Sequence, residues 1–113
     1  MVLKTFPLST NSLYAHVGRR RFLTKAAKEN KEALAWEVRT QFKGMPTTAL
    51  LSVTLAFYWP DRRRRDIDNI KTLLDTLSGI VWEDDSQIVQ IHITKGYDKE
   101  NPRLEMEVDK YRP

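Results

Sequence analysis

Residues 51 to 59 constrain the fold of this chain more than any other segment. Every odd position from Leu51 to Trp59 is apolar, and the even positions between them are Ser, Thr, Ala and Tyr. This period of two is typical of a strand with one buried face. Pro60 ends the strand, and the next eight residues, Asp61–Asp68, are charged at every position but one. The pattern therefore predicts a half-buried strand that leads directly into a charged segment.

The segments on either side of this strand predict further strands and helices. Val2–Leu8 has the composition of a short strand, and Ser9–Arg21 has that of a loop. Thr24 is a suitable N-cap for a helix that reaches about Lys43, because apolar residues recur after it at spacings of four and seven. A second helix begins after residue 68. Its apolar stripe consists of Ile70, Leu73, Leu74 and Leu77, and the two strands after it are Gln87–Thr94 and Arg103–Asp109.

The order of these elements, strand, helix, strand, helix, strand, strand, predicts an α+β fold. We expect one compact domain over residues 1–113, with a small, mostly antiparallel sheet and two helices packed on one of its faces. The last two strands are expected to form a hairpin through residues 96–102. Their predicted core-facing residues are Val89, Ile91 and Ile93 on the first strand and Leu104, Met106 and Val108 on the second.

Composition excludes several classes of site. The chain has no cysteine, so it cannot form disulfides, thiolate metal sites or a cysteine nucleophile, and a reducing interior is its natural compartment. With only His16 and His92, a histidine-rich metal site is not expected, and neither residue is assigned a role. No window approaches the roughly 18 apolar residues of a membrane-spanning helix, and no signal-peptide pattern is found. The sequence therefore predicts a cytoplasmic protein without a membrane partner.

The charged residues are segregated along the chain. Residues 1–65 contain 13 basic and 4 acidic residues, a net charge of +9, whereas residues 66–113 contain 6 and 11, a net charge of −5. A basic half suits a polyanion, because each neutralised phosphate releases counterions. Clustered acidic residues need a cation or an arginine partner. A polyanion together with a cation indicates phosphodiester chemistry.

Two aspartates, Asp66 and Asp68, end the charged segment. In an extended backbone residues two apart point their carboxylates in the same direction. Asp84 and Asp85 come just after the second helix, where a chain reversal would return them to the same place. An all-oxygen cluster of this kind suits Mg²⁺ or Mn²⁺. Two other roles stay open, namely a helix N-cap for Asp68 and an ion pair with a neighbouring arginine for Asp66.

Arginines precede these aspartates and also occur in the N-terminal loop. Their side chains suit phosphate binding, although charge runs are also common on solvated surfaces. Lys71, three residues after Asp68, would either steady charge on a phosphate or remain an exposed helix lysine. Trp82 is predicted to pack in the core rather than to stack on a base. The candidate phosphate-binding arginines are Arg19, Arg20, Arg21, Arg62, Arg63, Arg64 and Arg65.

The same stretch resembles a known family signature. Pro60–Asn69, then Asp75–Leu77 on the second helix and Val81–Ile88 after it, are similar to the motif of the RusA family of Holliday junction resolvases. The chain length, the earlier strand and helix, the N-terminal loop and the closing strands are similar to the family as well. The resemblance implies a homodimeric endonuclease, often encoded by phages, that uses Mg²⁺ to make paired nicks across a four-way DNA junction.

Residue roles follow from this resemblance by motif position. Asn69 is assigned to DNA contacts together with the arginines. The family usually has two residues between this asparagine and the catalytic lysine, whereas only Ile70 separates Asn69 from Lys71 here. One residue more or less turns a helical side chain by about 100° around the axis. The catalytic residues that the resemblance implies are Asp66, Asp68, Asp85 and Lys71, the three aspartates being the metal ligands.

The sequence thus predicts hydrolysis of a DNA phosphodiester by a metal-activated water, with Mg²⁺ as the cofactor and Mn²⁺ as its substitute. A two-fold homodimer would present two such sites to branched DNA. Two alternatives compete with this prediction. One is a DNA-binding module without catalysis, which metal-dependent cleavage would exclude. The other is a metal-dependent nuclease that is indifferent to DNA branching or acts on RNA, which a comparison of substrates would distinguish.

Overall fold

The computed structural model describes residues 1–8, 14–17, 20–65 and 70–113, and for residues 14–17 and 20–22 it describes the backbone alone. In these residues the chain is an α+β fold with two α-helices and six strands. A short 3₁₀ helix, Asp85–Gln87, precedes the fifth strand. The elements are β1 (Val2–Leu3), β2 (Tyr14–Val17), β3 (Arg20–Leu23), α1 (Lys25–Gln41), β4 (Leu51–Trp59), α2 (Ile70–Leu77), β5 (Ile88–Tyr97) and β6 (Arg103–Lys110).

A four-stranded sheet with the order β1-β6-β4-β5 forms the centre of the fold. The strand β6 pairs antiparallel with β1 and with β4, which agrees with a mostly antiparallel sheet, but β4 pairs with β5 in parallel. The sheet is therefore mixed. The parallel pairing arises because α2 lies between β4 and β5 in the chain, and parallel neighbours need a crossover connection, usually a helix.

The two closing strands, β5 and β6, do not pair with each other, so the predicted hairpin is wrong. Their connection of residues 98–102 is as short as a hairpin loop, but β4 lies between the two strands. The Asp98 N–H donates to the Trp59 carbonyl at 2.8 Å, which continues the β4–β5 pairing into the connection. The strand β4 is paired along both edges, and its inward side chains are buried in the core that also contains residues of both helices.

The N-terminal segment is less regular than predicted, because the predicted strand shortens to the two residues of β1. Side chains of α1 bind the backbone that follows β1. The Glu37 carboxylate accepts hydrogen bonds from the backbone N–H groups of Lys4 at 2.6 Å and Thr5 at 3.1 Å. The Asn30 side chain accepts one from Leu8 N–H at 2.9 Å. These side chains take the place of a partner strand.

The segment predicted as a loop, residues 9–21, contains part of a β2–β3 hairpin in which Tyr14 lies opposite Leu23. The loop prediction is wrong for these two strands, while residues 9–13, 18 and 19 lie outside the described part of the chain. Helix α1 begins as predicted, since the Thr24 side chain accepts a hydrogen bond from Ala27 N–H at 3.1 Å. The chain leaves the helix at Phe42, slightly earlier than expected.

One core holds the inward face of β4 together with both helices. Of the predicted residues on β5, only Ile93 packs against the core, whereas Val89 is 49% exposed and Ile91 37% exposed. The prediction is therefore wrong for these two, which lie on a strand at the edge of the sheet. The fully buried core includes Leu34, Val38, Val53, Leu55, Leu73, Leu77, Trp82 and Leu104, with Met106 almost fully buried. Among the described residues, no helix is long and apolar enough to cross a membrane.

Candidate active site

The structure tests the predicted site residues only in part. Lys71 and Asp85 belong to the described residues, whereas Asp66, Asp68 and Asn69 lie outside them. Arg19 is also outside, and for Arg20 and Arg21 only the backbone of β3 is described. In the described ranges alone, no three acidic or histidine side chains come together in a way that could hold a metal ion. The predicted three-aspartate metal site therefore stays a prediction.

The segment Trp82–Gln87, which we call the acidic turn, follows the reversal of the chain after α2. Gly79 makes this reversal with a φ of 89°, a conformation that glycine adopts without strain. The Gly79 N–H donates to the Trp82 carbonyl at 2.6 Å. On its other side the turn is bound to Thr47, whose N–H donates to the Val81 carbonyl and whose carbonyl accepts from Glu83 N–H. The backbone of the turn is thus held from two directions.

Asp84, the first aspartate of the turn, is a structural cap. Its carboxylate accepts hydrogen bonds from the Ser86 backbone N–H at 3.1 Å and from the Ser86 hydroxyl. The Gln87 side chain completes a capping box by accepting from Asp84 N–H at 2.8 Å. The hydroxyl and backbone donors of Ser86 hold the pKa of the Asp84 carboxyl below its usual value. Asp84 therefore directs its carboxylate into the turn itself.

Asp85, the second aspartate, points to a different neighbourhood. Its Oδ1 atom accepts a hydrogen bond of 2.8 Å from the indole Nε1–H of Trp82. The Trp82 side chain is fully buried, as predicted for a packing residue, and Asp85 is half-buried above it. Neighbours in sequence thus have opposite roles, since the carboxylate of Asp84 serves the fold and that of Asp85 faces helix α2.

Asp75 on α2 is the residue that Asp85 meets. The two carboxyl groups lie within hydrogen-bonding reach of each other. Partial burial raises the pKa of Asp75 above its usual value, and the hydrogen bond and the negative charge of Asp85 raise it further. Lys71, one helical turn before Asp75, and Lys31 on α1 oppose this shift through their positive charges. Asp75 therefore lies where the charges of both Asp85 and Lys71 act on its carboxyl group.

Sequence reasoning did not select Asp75 as a site residue, although it lies in the family-like motif. The available signal was its spacing, because residues four apart on a helix share a face and Lys71 is the residue four positions earlier. The contact with Asp85 had no such signal. It depends on the reversal at Gly79, which sequence spacing does not determine.

The charged residues after β4, Asp61–Arg65, form what we call the arginine segment. Arg65 stacks its guanidinium on the Trp59 ring at 4.5 Å and forms an ion pair of 2.8 Å with Asp61. The hydrogen bond from Arg65 is the main reason that the pKa of Asp61 is lowered. Arg62, Arg63 and Arg64 are exposed. Most of the positive charge of the segment is therefore available to a partner.

Strand β5 supplies two residues to this region that the sequence pattern did not reveal, Lys95 and Tyr97. The Lys95 ammonium donates to the Arg65 carbonyl at 2.6 Å, and the Arg62 guanidinium lies 5.1 Å from the centre of the Tyr97 ring. With the arginine segment and Trp59 they line a pocket of about 450 Å³. The parallel register pairs Trp59 with Tyr97 and so places Lys95 and Tyr97 beside the arginine segment. The predicted hairpin did not include this pairing, and for that reason the sequence did not indicate these two residues.

The described residues thus combine an exposed basic segment with a pair of neighbouring carboxyl groups. The family model for endodeoxyribonuclease RusA matches residues 6–109, so the chain belongs to the RusA family of endodeoxyribonucleases. A crossover junction endodeoxyribonuclease RusA from Aquifex aeolicus (strain VF5) is 32% identical over 103 residues, covering 88% of this chain and 81% of the relative. Proteins of the same name from Escherichia coli (strain K12) and Enterobacteria phage 82 are each 27% identical over 105 residues, covering 91% of this chain and 88% of each relative.

Proposed function

We propose that this protein is a Mg²⁺-dependent endonuclease that resolves four-way DNA junctions. The observation that carries the proposal is Asp85, which a buried tryptophan holds against Asp75 one helical turn from Lys71. Membership of the RusA family and the names of the relatives, crossover junction endodeoxyribonucleases, support the substrate. We treat residues 1–113 as one catalytic domain.

We assign the metal ion to Asp66, Asp68 and Asp85. The fit rests on the donor set and on the acidic pair, because neighbouring carboxylates repel each other and a bound cation relieves that repulsion. Carboxylate oxygens suit Mg²⁺, with Mn²⁺ as a substitute. Asp66 and Asp68 are added to the proposed metal ligands because of their positions in the family motif. Asp84 is not included, since its carboxylate caps the 3₁₀ helix.

Each residue then has a part in phosphodiester hydrolysis. When bound, Mg²⁺ supplies an acidified water and neutralises charge on the scissile phosphate. Lys71 is exposed on the same side of α2 as Asp75, where its ammonium would steady the phosphoryl oxygens or the leaving group. Asp75 would orient the Asp85 carboxyl group within the pair. Trp82 excludes water from beneath Asp85.

The DNA-binding surface consists of basic residues around the arginine segment. Arg62, Arg63 and Arg64 present exposed guanidinium groups that suit phosphate oxygens. Lys95 extends this charge along β5, and Tyr97 offers an aromatic face that is 43% exposed. Contacts of this type position a nuclease on DNA without reading its sequence. We include Arg19, Arg20, Arg21, Arg65 and Asn69 in this surface by their position in the sequence and the motif.

We also propose that the active form is a two-fold homodimer. One metal cluster makes one nick, whereas resolution of a four-way junction needs two nicks on strands of like polarity. A dimer with a single two-fold interface presents two clusters at once. Selectivity for branched DNA then follows from the spacing and angle of the two sites, which duplex arms do not match.

A cleavage assay tests this proposal. With Mg²⁺ we expect paired, symmetric nicks in a four-way junction and little cutting of linear duplex or single strands. Mixing wild-type chains with Asp68→Asn chains should give heterodimers that nick one strand and leave the junction unresolved. Binding without any metal-dependent cleavage would instead identify a DNA-binding module. Equal cutting of all substrates by a monomer would identify a nuclease indifferent to branching.

A further inference from the structure

We propose that Trp82 is a positioning residue of the active site, and that its indole N–H sets the orientation of the Asp85 carboxylate. This inference rests on the proposed function, in which Asp85 binds the metal ion. The sequence predicts only packing for Trp82, and its packing is indeed complete, since its side chain has no exposed surface. Its single polar atom is directed at Asp85 Oδ1 at 2.8 Å.

The backbone around Trp82 leaves the ring little freedom. Trp82 forms bridges with Thr47 on one side and with Ser78 on the other, and its carbonyl accepts from Gly79 N–H at 2.6 Å. Its ring belongs to the same core as the inward side chains of β4 and α2. Because the ring is fixed by the core, its N–H is a fixed donor. A carboxylate bound to a fixed donor is restricted to one orientation.

The choice of a neutral donor has a chemical consequence. An arginine or lysine at this position would neutralise the Asp85 carboxylate and compete with a cation for it. The indole N–H is neutral and donates one hydrogen bond, so it occupies part of one oxygen and leaves the negative charge available. The lone pairs of Asp85 that neither Trp82 nor Asp75 uses can then bind a metal ion.

Packing alone does not explain the Trp82–Asp85 hydrogen bond. The Nε1 atom of Trp59 is also buried, yet it has no hydrogen-bond partner within the described part of the chain. Among the described residues, burial of an indole ring thus does not by itself bring a carboxylate to its N–H. The two tryptophans provide a matched pair of substitutions, since changing each to phenylalanine removes a buried indole N–H, and within the described residues the Trp82 N–H binds a carboxylate whereas the Trp59 N–H does not.

The experiment compares Trp82→Phe with Trp59→Phe and with Asp85→Asn. Binding of Mn²⁺ is measured by calorimetry, and junction cleavage is measured as a function of Mg²⁺ concentration. Mutation of a residue that hydrogen-bonds to a metal ligand typically lowers the metal affinity about 10- to 100-fold. We expect a loss of Mn²⁺ affinity of that size for Trp82→Phe. Cleavage by this variant should recover at high Mg²⁺, so the metal requirement changes more than the maximal rate. Trp59→Phe should leave the Mn²⁺ affinity unchanged, even if its melting temperature falls.

Unchanged Mn²⁺ affinity in Trp82→Phe, together with a loss in Asp85→Asn, would overturn the positioning role and leave the proposed function intact. Unchanged affinity and cleavage in Asp85→Asn would overturn the proposed metal site, and the role of Trp82 with it. If Trp82→Phe does not fold, benzothienylalanine at position 82 keeps the shape of the ring and replaces the N–H by sulfur. The same loss of Mn²⁺ affinity is expected there, and wild-type affinity would again overturn the inference.

Discussion

The acidic turn and the arginine segment lie at opposite ends of β4 and differ in how their charges are held. The acidic turn leads into Ile88, which pairs with Leu51 at the start of β4, whereas the arginine segment follows Trp59 at its end. In the acidic turn each aspartate accepts hydrogen bonds from groups of the same turn. In the arginine segment three of the four arginines are exposed.

The difference between hydrogen-bonded aspartates and exposed arginines matches the proposed roles of the two segments, metal binding and phosphate binding. A metal ligand has to keep its oxygen within a few tenths of an ångström of an ideal distance, so it benefits from a fixed donor and a rigid turn. Phosphate binding by arginine acts over a longer range and tolerates several side-chain conformations. The chain therefore supports its proposed metal ligand from the core and leaves its proposed DNA contacts in solvent.

The largest effect is expected within the acidic turn, from the two adjacent aspartates. Asp85→Asn should reduce junction cleavage by at least about 100-fold, because even outer-shell partners of metal ligands are worth 10- to 100-fold. Asp66→Asn and Asp68→Asn should do the same. Asp84→Asn should retain activity, because asparagine is as good a helix cap as aspartate. Junction affinity without metal serves as the folding control.

Similar losses for Asp84→Asn and Asp85→Asn would contradict the division of roles between the two aspartates. Wild-type cleavage by all of Asp66→Asn, Asp68→Asn and Asp85→Asn would exclude the proposed metal site.

Lys71 should give the next largest effect. Lys71→Ala is expected to reduce the turnover of bound junction by roughly 100-fold, the value of a single donor to developing charge in a transition state. Junction affinity should change little, because one cation among many contributes little to binding. Single-turnover cleavage at saturating protein separates the two quantities. A loss of affinity with unchanged turnover would make Lys71 a phosphate contact of the same kind as the arginines.

Exposed arginines should affect binding rather than chemistry. The double variant Arg62→Ala and Arg64→Ala should weaken junction binding and lower the slope of log affinity against log salt by about 0.9 for each phosphate that the protein no longer neutralises. The matched control is Arg39→Ala with Lys43→Ala, which removes two exposed positive charges at the end of α1. Equal reductions in affinity for the two double variants would show that net charge, and not the arginine segment, determines binding.

The smallest effect is expected for the ion pair inside the arginine segment. The pKa of Asp61 is lowered in the fold, mainly by its hydrogen bond with Arg65, so the folded state binds the proton less readily than the unfolded chain. Its contribution to stability is fully present above the unfolded value near 3.8 and is lost as the pH falls through the lowered folded pKa. The Asp61 side chain is 47% exposed, so solvent screens the ion pair and this contribution is small.

Melting temperatures of wild type and Asp61→Asn at several pH values test this. The wild type should melt slightly higher at neutral pH, and the difference should disappear in acid. A difference that grew as the pH fell would show that Asp61 has another role.

Local patterns in the sequence were sufficient for the strongest elements. The alternation from Leu51 to Trp59 predicted β4 with its correct bounds, and Thr24 predicted the start of α1. Both depend on interactions within a few residues, namely the alternation of side chains along a strand and a cap that binds the first helical turn. Asp85 was assigned by the family resemblance, from its motif position after α2, and its role as a metal ligand stays a prediction.

Tertiary structure alone decided which residues meet. The parallel pairing of β5 with β4 brought Lys95 and Tyr97 to the arginine segment, and the reversal at Gly79 brought Asp85 to Asp75. It also divided two adjacent aspartates into a cap and a candidate ligand. The sequence by itself determined the chemical groups and their local conformation. Their partners depended on strand order and on the direction of a buried indole N–H, which are properties of the packed core and leave no periodic pattern in the chain.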